Sequence, residues 1–300
     1  MFRQVLGAEW LKLRQRPLAW GLLVIFLGLL LLYLVLWFLV VALHDGAFTG
    51  GTQRIMVLGD AQIDELRRQL VLPGMFGAVL GQFNSIGGLL AIILAAGALG
   101  SDYSWGTLRI MLTRAPDRSA FLLAKCVALL FVLLAGLLIA LGVGSGLALI
   151  FSWFLGSGDG LRLRDLLVLP LGIARALFVV LPYMLATLAC AAWGRSVLAG
   201  VGGGLLFLAV DISAGSLNTL AAINPLVRNV TNLLLQPNIN TLVVQNSQLF
   251  GLDQSILVSS LDLSSLPPWP QAVLVIAIYS GLFYFSAWRL LRRRDIGGAG

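Results

Sequence analysis

Apolar residues in this chain come in long runs that charged residues interrupt only at intervals. A helix needs about 20 mostly apolar residues to cross the hydrocarbon core of a membrane. The stretch 18–43 carries no charge and follows Pro17, whose fixed φ suits a first helical position. It is too long for the apolar region of a cleaved signal peptide, which is about 7–15 residues. Further runs at 75–100, 119–155, 166–193, 197–213 and 272–291 bring the expected number of spans to six.

The connections are unequal. Residues 1–16 precede the first span, 44–74 and 214–271 form two long loops on one side, and 101–118 form a shorter loop on the other. Within the first long loop, Ile63, Leu66 and Leu70 fall at helical spacing. That pattern predicts a short amphipathic helix resting on the membrane surface. In the second, Asn224-Pro225, Gln236-Pro237, Pro267-Pro268 and Pro270 break the chain into short pieces. Its stretch 239–261 is apolar enough either to pack against the membrane or to re-enter it in part.

Composition supports the same class. Of 300 residues 59% are hydrophobic and only 11% charged, whereas a soluble domain is about 25% charged. The mean hydropathy is +0.95. A soluble fold of this size could not hide so much apolar side chain, and a disordered chain would be richer in charge. The cysteines, Cys126 and Cys190, both lie in apolar runs, and His44 is the sole histidine. A disulfide scaffold, a cysteine-rich zinc site and most histidine chemistry are thereby excluded. The expected fold is an all-α polytopic membrane protein, one transmembrane domain across 1–300.

The net charge of +7 matters through its placement. With both ends inside, the cytoplasmic segments hold thirteen Lys and Arg and the outer segments six. The excess of Lys and Arg on one side orients a membrane protein. Both termini and the 101–118 loop are therefore expected in the cytoplasm, and the two long loops outside. No nucleic-acid partner is expected.

The most informative cytoplasmic segment is Gly100-Ser-Asp-Tyr-Ser-Trp-Gly-Thr-Leu-Arg-Ile-Met-Leu-Thr-Arg-Ala-Pro-Asp-Arg118. Ser101 or Ser104 could cap a short helix and Pro116 would help to end it. Trp105, Leu108 and Leu112 then share one apolar edge beside Arg109. A helix of this kind either docks into a groove on another protein or lies among lipid headgroups.

Gly106-Thr-Leu-Arg109, followed by Leu112-Thr-Arg114, Arg118 and Lys125, resembles the cytoplasmic loop of ABC-2 type permeases, the membrane subunits of type V ABC exporters. Glu9-Trp-Leu-Lys12-Leu-Arg14 is similar to that family's start, and Trp288-Arg-Leu-Leu-Arg-Arg-Arg-Asp295 to its basic ending. The resemblance covers most of the chain and rests on the combination and its order. It implies that Asp102, Tyr103, Trp105, Gly106, Thr107, Leu108, Arg109, Leu112 and Arg114 form a coupling helix on a separate ATPase subunit. Glu9, Lys12 and Arg14, on an N-terminal interfacial helix, would add contacts to that subunit. It further implies short re-entrant helices before the last span, two ATPase copies and a second permease copy, identical or not. The setting would be a prokaryotic cytoplasmic membrane. This chain has no phosphate-binding Gly-x-x-x-x-Gly-Lys-Ser/Thr loop, since Gly202-Gly-Gly204 is followed by leucines. ATP and Mg would be used by the partner, and the chain itself is expected not to be an enzyme.

Other features carry competing readings. Arg175 and Asp211 fall inside predicted spans, where charges are costly unless paired or wet. They are expected in the outer half, as a structural ion pair, with Arg175 snorkelling to the interface, or as part of a substrate route. Gly200 and Gly204, and Gly142, Gly144 and Gly146, form small-residue faces that allow close helix approach within the subunit or between copies. Val143-Gly-Ser-Gly146 only loosely resembles a rhomboid serine motif, and no later span supplies a histidine base. The rival functions are a secondary transporter, for which Asp211 would be a coupling carboxylate, and a membrane scaffold that transports nothing.

Overall fold

The computed structural model describes residues 2–46, 58–106, 118–156, 160–215, 225–257 and 265–293. The described residues contain no β-strand. They include six helices long and apolar enough to cross a membrane, as an all-α polytopic membrane protein requires. Helix α1 (Phe2–Gln15) leads at Arg16 into α2 (Pro17–His44), with Pro17 at the first helical position. Helix α3 is Asp60–Leu70. The second spanning unit runs from α4 (Gly74–Gln82) through a π-helical turn (Phe83–Gly87) into α5 (Gly88–Ser104). Then follow α6 (Arg118–Leu155), α7 (Leu163–Gly194) and α8 (Val197–Gly215). Three short helices, α9 (Pro225–Thr231), α10 (Leu235–Gln248) and α11 (Gln254–Leu257), precede α12 (Trp269–Arg293).

Successive spans gather their ends in two groups. Arg16 reaches Ser101, Gly100 lies against Val197, and the Arg118 guanidinium donates to the carbonyls of Leu291 and Arg292, both at 2.8 Å. Those contacts bring the ends of α1, α5 and α12 together with the starts of α6 and α8. At the far end Arg67 grips Asp45 and Glu65 accepts a bond from the Asp253 amide. Exposed tryptophans rim both ends: Trp20, Trp105 and Trp193 on the first, Trp153 and Trp269 on the second. Such belts suit the two interfaces of a bilayer. Between them, exposed leucines such as Leu149, Leu198 and Leu206 present apolar surface outward.

Lipid is as apolar as leucine, so helix association relies on close packing and buried polar bonds. The glycines of α8 supply the first. A Cβ on Gly200 would stand 2.9 Å from the β-carbons of Ala191 and Ala96, and one on Gly204 would overlap Thr187 and Ile92. This face therefore packs within the chain, against α5 and α7. On α6, Gly144 meets Val79, whereas Gly142 and Gly146 look onto open space.

One loop element differs from expectation. Helix α3 turns Ile63, Leu66 and Leu70 inward, buried with α2 and α4 in the main core rather than laid on a membrane surface. Its apolar stripe has protein to cover it. Helix α10 packs into the bundle among α4, α7, α8 and α12. Leu235, Ile239 and Leu242 join Ile92, Val179, Tyr183, Ala272 and Ile276 in a second apolar cluster. Asn246 donates to the Gly172 carbonyl at 3.1 Å, nine residues into α7.

Candidate functional site

The chain contains two lysines, Lys12 and Lys125, and two glutamates, Glu9 and Glu65. Both lysines converge on Asp102. Its carboxylate is completely buried at the end of α5. Lys125, on α6 and equally buried, places Nζ 2.7 Å from Asp102 Oδ2, 2.7 Å from Glu9 Oε2 and 3.0 Å from the Ala98 carbonyl. Lys12 donates to Asp102 Oδ1 from α1. Arg16, at the corner between α1 and α2, lies 3.5 Å from the same oxygen. Its guanidinium also donates to Ser101 Oγ at 2.8 Å and the Gly97 carbonyl at 3.0 Å.

These side chains meet because of where their helices lie. On α1, Glu9 and Leu13 occupy one face, four residues apart, and that face packs on α6. Trp10 adds an edge-to-face contact with Phe131. Lys125 sits two turns into α6, with its ammonium 5.2 Å from the Phe121 ring centre. The cluster holds three cations and two carboxylates. Burial and the neighbouring Lys125 pull the Lys12 ammonium below its ordinary value of 10.5, against the opposing pull of Glu9 and Asp102.

Of the residues expected to contact a partner ATPase, the structure turns some inward and some outward. Asp102 and Glu9 are enclosed by the chain itself, so their bonds organise the site from within. Lys12 is mostly covered and Tyr103 half-buried. Trp105 and Gly106 are exposed directly after the end of α5, and Gly106 adopts a φ of +67°, which glycine tolerates without strain. The Arg16 guanidinium stands 5.1 Å from the Trp105 ring centre. Arg14 is exposed as well, and its carbonyl accepts the Trp20 indole N–H at 2.9 Å. Thr107, Leu108, Arg109, Leu112 and Arg114 lie outside the described residues.

Arg16, Ser101 and Lys125 were not singled out by sequence as site residues. Lys125 carried a signal, since it falls inside an apolar run, where an ionisable residue deserves a named partner.

The expected Arg175–Asp211 pair does not form. Asp211 accepts the Tyr183 hydroxyl at 2.6 Å and the Gln236 amide at 3.2 Å. Tyr183 lies eight residues beyond Arg175 on α7, roughly 12 Å along the axis at 1.5 Å per residue. Asp211 is level with that tyrosine and out of ion-pair range. It ties α8 to α7 and α10, while Arg175 makes no salt bridge among the described residues.

Residues 79–297 match the family described as "Protein of unknown function (DUF2705)". The chain belongs to that family. The matched stretch takes in Asp102, Lys125, Tyr183 and Asp211, and begins after Glu9, Lys12 and Arg16. No curated protein matches the chain.

Proposed function

We propose that the chain is the permease subunit of an ATP-driven ABC exporter, working with a separate ATPase in a prokaryotic cytoplasmic membrane. The observation that carries the reading is the exposed Trp105 and Gly106 joined directly to the buried cluster at Asp102. In an exporter, a push on the loop after α5 must reach the spanning helices. Asp102 offers a stiff route, because its carboxylate is bonded to α1 and α6 at once. The sequence resemblance to ABC-2 permeases supports the same assignment, as do the six spans. Both termini and the 101–118 loop lie in the cytoplasm on this reading, in keeping with the excess of Lys and Arg at that end.

The chain's own part is mechanical. The ATPase, with ATP and Mg, supplies the movement, and α5 and α6 receive it through the Asp102–Lys125 bond. A second permease copy would complete the path for the substrate.

The test is purification of the chain, tagged at its C-terminus, from native membranes in mild detergent. An ATPase is expected to co-purify in stoichiometric amount, and Trp105→Ala with Arg109→Ala to lose it while the permease remains folded. A folded chain that purifies without any ATPase would overturn the proposal and favour a secondary transporter, with Asp211 as its first residue to test.

A further inference from the structure

At the far end of the bundle, opposite the charge cluster, lies an open cavity of about 600 Å³. Four arginines line it: Arg67 and Arg68 from α3, and Arg162 and Arg164 from the start of α7. Asp64 and Asp165 are the carboxylates on its wall, so the charged lining is positive on balance. One of these carboxylates, Asp165, is committed elsewhere, as are two of the arginines. Asp165 accepts the Arg162 backbone N–H at 3.0 Å, capping α7. Arg67 is held by both oxygens of Asp45 at 2.6 and 2.7 Å, which leaves its Nε buried without a hydrogen-bond partner. Arg68 is 3.4 Å from Glu65. Arg162 and Arg164 are exposed and make no salt bridge among the described residues.

We infer that this cavity binds a phosphate-bearing anion. Guanidinium groups match phosphate oxygens in paired, charge-assisted hydrogen bonds, and the volume falls in the range of small-molecule sites. The two arginines without salt bridges also stand next to an apolar surface. Leu161, Leu163, Leu166 and Leu167 beside them are exposed, so the cationic mouth adjoins an apolar, lipid-facing wall. That juxtaposition suits a phospholipid headgroup, and a soluble phosphate ester offers the same oxygens. The inference stands on the cavity and is independent of the transport reading.

The test uses the purified full chain in neutral detergent. Binding of phosphatidylglycerol and phosphatidylcholine is measured by native mass spectrometry, with glycerol 3-phosphate as soluble competitor. Phosphatidylglycerol is expected to bind at least about tenfold more tightly, and less so at high salt. Arg162→Gln with Arg164→Gln should remove that preference without changing the lipid-free Tm. Arg195→Gln with Arg289→Gln, at the opposite end, should keep it. Competition by glycerol 3-phosphate would identify a soluble ester as the ligand, and retention of the lipid in its presence would identify the headgroup. Equal binding of the two lipids without any binding of glycerol 3-phosphate would overturn the inference. So would a preference unchanged in the Arg162/Arg164 double variant. If that variant failed to fold, Arg164→Gln alone with the salt series on the wild type would decide the matter by the same criteria.

Discussion

Asp102 occupies a position where removing one partner strands the others. Truncating one member of a buried ion pair costs about 3–5 kcal/mol, because the remaining charge keeps its desolvation penalty without compensation. Asp102→Ala should therefore lower stability by about that much, measured by thermal unfolding in detergent. Lys125→Ala should approach the same loss, and Lys12→Ala should cost less, since Lys12 retains access to solvent while Lys125 has none. A reversed order between the two lysines would contradict the assigned burial. Glu65 offers a separate test. Burial pushes its carboxyl above the ordinary 4.5, against the pull of the Asp253 amide and Arg68. A raised carboxyl binds more protons folded than unfolded, so stability falls as pH rises from about 4.5 through the raised value. Glu65→Gln should flatten that slope, because glutamine can still accept the amide bond. An unchanged profile between pH 4 and 7 would show that another group sets it.

At the scale of elements, the glycine faces separate packing from exposure. Gly204→Leu should destabilise by about 1–3 kcal/mol or more, as overpacking does, since Thr187 and Ile92 already fill the space. Gly146→Leu should fall within about 0.5 kcal/mol of the wild type, as surface substitutions usually do. A comparable loss at both positions, read from detergent unfolding midpoints, would mean that α6 packs elsewhere in the assembled protein. The spanning helices were legible in the sequence because hydropathy acts over about 20 residues and needs no knowledge of neighbours. Helix α3 was legible as an amphipathic helix, yet its covering was not. The same Ile63, Leu66 and Leu70 stripe suits a membrane surface or a protein groove, and only the positions of α2 and α4 decide between them. The Asp102–Lys125 pairing is hidden for a related reason. Their 23-residue separation gives no hint that α5 and α6 bring them to 2.7 Å. Span boundaries give linear depth alone and so set Arg175 beside Asp211, whereas α8 meets α7 two turns further along, at Tyr183.

For the whole molecule, the two ends carry different chemistry. One gathers a buried cluster of charge beneath an exposed tryptophan, and the other opens an arginine-lined cavity. An exporter permease would meet its ATPase at the first end only. The most direct measurement is site-specific photo-crosslinking in native membranes, with the probe residue replacing Trp105 or, as the opposite-end control, Trp153, which is also exposed. A covalent adduct with an ATPase subunit is expected from position 105 and none from position 153. Absence of an ATPase adduct at 105, with the chain intact and folded, would contradict the claim that this end receives the ATP-driven movement.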